Sequence, residues 1–252
     1  EEESETYALL VADVFRDMTQ KAGQKCTAIR RVFVPADKLD GIASALADRL
    51  AQIVVGDPAR EDVTMGPVTS AAQLREVRTG IARLATAGRS LLGAPGEAVA
   101  GRGAPEGKGY FVAPTLFVAE ASVAAVHEHE VFGPVATIVG YRSQAELVEL
   151  VAQGGGSLVS SIYSDDRKLQ ATLVEELGPY HGRLLIGSEK LVGHSVGPGT
   201  VLPQLVHGGP GRAGGGEELG GLRGLHPYLQ RTAVQGDRAV VGRLFGTEQT
   251  GP

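Results

Sequence analysis

The pattern of apolar and polar positions along the chain predicts helices that alternate with strands. Apolar residues that recur three and four positions apart predict amphipathic helices over 7–20, 36–53, 70–87, 143–153 and 165–177. Short apolar runs predict strands over 29–35, 111–112, 115–118, 135–141, 157–163 and 183–186. Because this alternation is typical of βαβ units, we expect an α/β fold with a mostly parallel open sheet flanked by helices.

Turn-forming and capping residues separate these elements. Ser70 precedes the third helix and is a candidate N-cap, because its hydroxyl can accept a hydrogen bond from the first turn. The segment 93–109 is rich in Gly, Ala and Pro. This composition is typical of connections rather than regular elements, so we expect an exposed loop there.

Composition and charge narrow the class of protein. Hydrophobic residues make up 42% and charged residues 21% of the 252 residues, which is ordinary for a soluble globular protein. The net charge of −5 favours neither nucleic acid nor an anionic membrane as a partner. A single cysteine excludes an intrachain disulfide and fits a reducing compartment. We find no signal-peptide pattern and no membrane-spanning apolar run, so we expect a cytoplasmic protein.

The single cysteine, Cys26, lies in the segment Gly-Gln-Lys-Cys-Thr at 23–27. Lys25 precedes it, and Arg30 and Arg31 follow shortly after. Positive charge favours the thiolate, which is the nucleophilic form of cysteine, and Gly23 allows close approach of the backbone to a ligand. A lone cysteine is most often a small buried hydrophobe, so the residues alone leave both catalysis and packing open.

A second segment, Glu-Val-Phe-Gly-Pro-Val at 130–135, lies about a hundred residues downstream. The two segments, in this order, resemble the catalytic, C-terminal half of the NAD(P)-dependent aldehyde dehydrogenases. The resemblance implies that Cys26 attacks the aldehyde, Glu130 holds a ribose of the cofactor and Phe132 packs near the nicotinamide. Without that resemblance, Glu130 would be interpreted as a surface charge and Phe132 as a core residue.

The glycine-rich tail makes the resemblance more specific. The segments 23–31, 202–222 and 228–236 are similar to the coenzyme A-linked semialdehyde dehydrogenases of the PaaZ type, from phenylacetate breakdown, and of the BoxD type, from benzoate breakdown. This resemblance implies oxidation of a coenzyme A-linked semialdehyde to the acid, NADP rather than NAD as cofactor, and a homo-oligomer. It also implies a substrate-loop role for His207.

The resemblance further implies a division of the chain. We expect an aldehyde dehydrogenase catalytic domain over 1–227 and an oligomerisation segment and tail over 228–252. In the family, an asparagine oxyanion donor, a glutamate general base and a cofactor-binding domain all precede the cysteine by more residues than this chain provides. We therefore expect a fragment of a longer enzyme that is inactive by itself.

Two other functions stay open. Cys26 and His207 could form the dyad of a thioesterase or related hydrolase that needs no nucleotide, if the fold brings them together. Alternatively, the chain could be a non-catalytic oligomerisation module with an unproductive thiol. Dependence on a nucleotide separates the dehydrogenase from the hydrolase.

Two weaker patterns are interpreted structurally. Residues 209–214 fit the dinucleotide pattern G-x-G-x-x-G, but no acidic residue follows about twenty positions later, so we favour a flexible loop beside the active site. His127 and His129 alternate with Glu128 and Glu130, yet no third ligand with recognisable spacing appears. Metal sites need three or four ligands, so we expect no metal and interpret 127–130 as a solvated loop.

Overall fold

Six strands in two sheets organise the residues that the structure describes. The structure is a computed structural model that describes residues 4–97, 99–202, 205, 207–214, 222, 225, 228–230 and 232–246. The first sheet has the order β1-β4-β3-β2, with three parallel strands and an antiparallel edge strand, β2. The second sheet pairs β5 and β6 in parallel. The strands are β1 (Arg31–Pro35), β2 (Gly88–Leu92), β3 (Thr115–Ala119), β4 (Val135–Tyr141), β5 (Ser157–Tyr163) and β6 (His181–Gly187).

Seven α-helices in the described part of the chain connect or flank these strands. They are α1 (Glu5–Thr19), α2 (Leu39–Leu50), α3 (Ala71–Ala87), α4 (Ala124–Glu128), α5 (Gln144–Ala152), α6 (Arg167–Leu177) and α7 (Arg238–Phe245). The predicted cap at Ser70 is confirmed, because its hydroxyl accepts the backbone N–H of Gln73 at 3.1 Å. The mixed α/β architecture with mostly parallel strands is therefore the one expected from the sequence.

The four-stranded sheet is buried on both faces. In β4, Val135 and Val139 point into one apolar cluster, whereas Ala136 and Ile138 point into the other. Helices α3 and α4 supply side chains to the first cluster, and α1 and α2 to the second. Parallel strands that are covered on both faces have continuous runs of apolar residues. This explains why strand β4 is predicted correctly from the sequence.

Short elements were predicted less well. The strand predicted at 111–112 is wrong: Phe111 and Val112 are buried but lie outside any strand. A Cβ on either Gly101 or Gly109 would overlap the Phe111 ring, so a glycine-lined loop holds this side chain in the core. Strand β2 was missed because its pattern at an exposed sheet edge is mostly polar.

The described C-terminal residues contain one α-helix. Among the described residues after 227, helix α7 is the one α-helix or β-strand. Residues 232–236 belong to neither a helix nor a strand. Val240, Leu244 and Phe245 on this helix are exposed. The oligomerisation segment over 228–252 and the domain boundary stay predictions. Every helix in the described part of the chain is too short or too polar to cross a bilayer.

The fold makes a prediction about stability. Leu46 on α2 is fully buried between the sheet and α1, so Leu46→Ala should remove about 2–5 kcal/mol from the free energy of unfolding, measured by urea denaturation. Leu244→Ala on α7 is the matched control, because Leu244 is 67% exposed and its truncation should change that free energy by less than about 0.5 kcal/mol. Equal losses in the two variants would contradict this assignment of the core.

Candidate active site

The loop that carries Cys26 is set by a sharp change of chain direction after α1. Three consecutive residues have positive φ angles: 54° at Lys21, 51° at Ala22 and 69° at Gly23. These angles lie in the left-handed region, which residues other than glycine rarely adopt. A Cβ on Gly23 would also overlap the carbonyl oxygen of Gly133. The backbone at Gly23 thus lies in close contact with Gly133, in the second motif. We call residues 23–27 the Cys26 loop and residues 130–134 the Glu130 loop.

Arg30 joins the two loops through backbone carbonyls. Its Nη1 donates to the oxygen of Gly133 at 2.7 Å, and its Nη2 donates to the oxygens of Gly23 at 2.7 Å and Lys25 at 3.3 Å. The side chain is only 17% exposed, and burial lowers the pKa of Arg30. A buried guanidinium needs these acceptors, because an unpaired buried charge is costly. The contact therefore fixes the Cys26 loop against the Glu130 loop.

The same guanidinium contacts both side chains that the resemblance assigns to the cofactor. Arg30 Nε lies 3.6 Å from Glu130 Oε1, and the Arg30 Cζ atom lies 5.3 Å from the centre of the Phe132 ring. The Glu130 side chain remains 52% exposed and Phe132 36% exposed. Gln73 on α3 additionally donates to the Phe132 carbonyl at 2.8 Å. Each side chain is thus held on one side by Arg30 and open on another.

Three of the predicted site residues line one cavity. This cavity, of about 970 Å³, lies between the two sheets and is lined by Cys26, Glu130 and Phe132 together with residues of β1 and β5. Cys26 itself is exposed. The two motifs, separated by a hundred residues in sequence, therefore face a common space large enough for a small-molecule ligand.

The cations near Cys26 have other partners. Lys25 Nζ donates to Asp17 Oδ1 at 2.8 Å and to Gln20 Oε1 at 3.0 Å. Burial raises the pKa of Asp17, while Lys25 acts in the opposite direction. Arg31 Nη1 donates to the carbonyl oxygen of Leu150 at 3.1 Å. The charge next to the thiol in sequence is therefore largely directed away from it.

The structure brings His207 to the nucleophile. Its Nε2 lies 3.5 Å from Cys26 Sγ, although the two residues are 181 positions apart. Its Nδ1 is buried and has no hydrogen-bond partner among the residues that the structure describes. The sequence could name both residues but could not show this contact, on which the hydrolase alternative depends.

The glycine pattern at 209–214 lies in a loop. Its described structure is a single 3-10 turn, Gly211–Ala213, instead of the helix that a dinucleotide fingerprint requires. Arg212 ties this loop to the rest of the domain: its backbone N–H donates to Gly155 O at 2.9 Å and its Nη2 to Glu128 O at 2.9 Å. The backbone N–H of Arg212 is thus engaged within the protein rather than open to a phosphate.

The interpretation of 127–130 as a solvated loop is wrong for His127. This residue lies on α4 and is buried, with Arg31 donating to its Nδ1 at 3.0 Å. Its Nε2–H then donates to Ala121 O at 3.1 Å, and its ring stacks on Phe33. Burial lowers the pKa of His127, so a neutral, structural imidazole fits the site. In the described residues no three His, Cys, Asp or Glu side chains form a group that could hold a metal.

Sequence reasoning missed the structural roles of Arg30 and Asp17. In the sequence, Arg30 is recognisable only as a positive charge near Cys26, and Asp17 belongs to no motif. For Asp17, the available signal is a charge on an otherwise apolar helix face. For Arg30, it is a pair of consecutive arginines at the start of a predicted strand. Neither signal identifies a partner, because the Arg30 contacts span up to 103 positions.

Comparison with known proteins agrees with this geometry. Residues 5–234 match the family model "Aldehyde dehydrogenase family". The chain is 38% identical over 211 residues to a 3,4-dehydroadipyl-CoA semialdehyde dehydrogenase of Aromatoleum evansii, covering 81% of this chain and 40% of the relative. It is 39% identical over 182 residues to Protein MaoC of Klebsiella aerogenes, covering 71% of this chain and 52% of the relative. The chain thus spans about half, or less, of the length of these relatives.

Solved structures share the fold. The lactaldehyde dehydrogenase of Escherichia coli superposes with a TM-score of 0.71 at 28% identity, covering 91% of this chain and 44% of that one. A Thermus 1-pyrroline-5-carboxylate dehydrogenase with bound NAD gives a TM-score of 0.68 at 27% identity, covering 81% of this chain and 36% of that one. Because the family match extends over most of the sequence, the chain belongs to the aldehyde dehydrogenase family.

Proposed function

We propose that this chain carries the nucleophile and part of the cofactor site of an NAD(P)-dependent enzyme that oxidises a semialdehyde to the corresponding acid. One observation carries the proposal: Cys26, Glu130 and Phe132 line the same cavity. Arg30 supports it further, because it contacts the loops that bear all three. Family membership fits an oxidoreductase, since several relatives are dehydrogenases by name.

Cys26 acts as the nucleophile in this proposal. Its thiolate adds to the aldehyde carbon, the carbonyl π pair moves to oxygen, and backbone N–H groups near the sulfur stabilise the oxyanion. A bound nicotinamide supplies the hydride acceptor for the oxidation. Water then hydrolyses the Cys26 thioester to release the acid and regenerate the thiol. The exposed position of Cys26 on the cavity wall permits attack by its sulfur.

Glu130 and Phe132 hold the cofactor. An ionised carboxylate only accepts hydrogen bonds, so Glu130 suits the two donor hydroxyls of a ribose. Arg30 limits the orientations of the Glu130 carboxylate and holds one face of the Phe132 ring, which leaves the rest of that ring for the nicotinamide. The residues present therefore fit a nicotinamide nucleotide. NADP is preferred over NAD on the resemblance alone.

We propose a coenzyme A-linked semialdehyde from phenylacetate or benzoate breakdown as the substrate. The name of the Aromatoleum relative supports this class, and His207 lies on the loop that would face the substrate beside Cys26. The exposed apolar side chains of α7 support a homo-oligomer. A cytoplasmic location completes the proposal, because one free thiol suits a reducing compartment.

The same resemblance implies that the general base and the asparagine oxyanion donor precede the residues of this chain. We propose that the chain alone does not reduce a nucleotide and that turnover requires a longer enzyme. The coverage of the relatives, 40% and 52% of their lengths, supports this view.

A thioesterase or related hydrolase is the second candidate, and the 3.5 Å contact of Cys26 with His207 favours it. Hydrolytic triads also need a third group that orients the histidine, which His207 Nδ1 lacks among the described residues. Hydrolysis of an acyl thioester by the chain without any nucleotide would favour this candidate over the dehydrogenase.

The nucleophile is tested first. In the proposed full-length enzyme, Cys26→Ala should lower nucleotide reduction with coenzyme A-linked semialdehydes by at least about 10⁴-fold, because the covalent step is lost. Thr86→Ala, at an exposed position of α3, is the control and should keep full activity. Retained nucleotide reduction in folded Cys26→Ala would exclude the proposed mechanism.

The cofactor role of Glu130 makes a separate prediction. Glu130→Gln in the same enzyme should raise the KM for the nucleotide by about 10-fold, because a charged acceptor of ribose hydroxyls is lost. Glu128→Gln, two residues earlier and also exposed, should leave that KM unchanged. If both variants matched the parent in steady-state kinetics, Glu130 would have no part in binding the cofactor.

A further inference from the structure

A histidine and the nucleophilic sulfur are in direct contact. Cys26 Sγ and His207 Nε2 are 3.5 Å apart, which is within the range of a hydrogen bond that involves sulfur. The imidazole is partly buried, whereas Cys26 is exposed at the cavity. One ring nitrogen therefore faces the sulfur, while the other side of the thiol remains accessible from solvent and from the cavity.

No other basic side chain has a hydrogen bond to this sulfur in the described part of the chain. Lys25 donates to Asp17 and Gln20, and Arg30 donates to carbonyl oxygens of both loops. These cations have fixed partners, and neither guanidinium nor ammonium can accept a proton in its charged form. His207 is thus the group in contact with the thiol that can take its proton.

The position of His207 is fixed by the loop that follows it. The Gly208 backbone packs so closely on β6 that a Cβ on Gly182 would overlap the Gly208 carbonyl oxygen. A Cβ on Gly209 would likewise overlap the carbonyl oxygen of Ser157 at the start of β5. Arg212 then anchors the loop to Gly155 O. The second sheet therefore carries His207, and the first sheet carries Cys26.

We propose that His207 is the proton acceptor that converts Cys26 to its thiolate, a proposal that deepens the function given above. The Cys26 Sγ–H bond breaks and a bond from the proton to His207 Nε2 forms, which leaves a thiolate beside an imidazolium. The thiolate pair forms the sulfur–carbon bond to the aldehyde. When water later hydrolyses the thioester, sulfur leaves as a thiolate next to the same imidazolium, which returns the proton.

This role differs from that of a hydrolase histidine. His207 need not activate water, and it has no carboxylate on Nδ1 among the described residues to orient it for that task. Burial lowers the pKa of His181, on β6, to about 4, so its imidazole is neutral near pH 7. Charged or titratable side chains on the surrounding elements include Asp17, Lys25, Arg30, Arg31, Glu130, His181, Arg183 and Arg212.

The test uses the chain itself, without aldehyde or nucleotide. Cys26 is the only thiol, so its alkylation rate by iodoacetamide between pH 5 and pH 10 reports its thiolate fraction. Because a cationic partner favours the thiolate, His207→Ala and His207→Gln should each slow alkylation at pH 7 by about 10-fold. The rates should converge with the wild-type rate near pH 10, where the thiol is ionised in every variant.

A second variant moves His207 without removing it. Gly182→Ala should displace the Gly208 backbone and shift the alkylation profile in the same direction as His207→Ala. Gly178→Ala is the matched control, because a Cβ at Gly178 meets no atom within 4 Å, and its profile should match that of the wild type. Circular dichroism on all variants checks that they are folded.

Two results would overturn the proposal. One is a pH profile in folded His207→Gln that superimposes on the wild-type profile. The other is a change in rate by the same factor at every pH in that variant, which would indicate altered access to the sulfur rather than proton transfer. Neither result depends on nucleotide reduction, so the dehydrogenase proposal would remain separately testable.

Discussion

The arrangement of this domain depends on the contacts of one buried arginine. Arg30 donates to backbone oxygens of both the Cys26 loop and the Glu130 loop, and its guanidinium also contacts Glu130 and Phe132. A buried cation without acceptors would cost several kcal/mol, so the loops and the arginine stabilise one another. Since each loop precedes a strand of the same sheet, the parallel pairing of β1 with β4 brings the two loops together.

The main elements of the fold were predictable because their patterns are long. Strand β4 is apolar on both faces, and α1, α2 and α3 show the three-and-four spacing of buried helix faces. Two-residue apolar runs do not carry such information, so Phe111 and Val112 were assigned to a strand that does not form. The edge strand β2 and the one-turn helix α4 have only five residues each, which is too short for a distinct apolar pattern.

The candidate site was predictable in its residue types but not in its contacts. The motifs named Cys26, Glu130 and His207, yet only the folded chain brings His207 to Cys26 across 181 positions. The charge of Lys25 was expected to favour the thiolate, whereas its ammonium is bonded to Asp17. Local sequence records which charges are present, while the partners of those charges depend on tertiary packing.

The coupling of the two loops by Arg30 is tested most directly by amide hydrogen exchange in Arg30→Met, which keeps the apolar stem and removes the donors. We expect faster exchange in both 23–27 and 130–134, where backbone hydrogen bonds such as Lys25 N–H to Gly23 O close the loops. Arg89→Met, at the exposed edge strand β2, should leave both segments unchanged. Unaltered protection of the two loops in Arg30→Met would contradict the account.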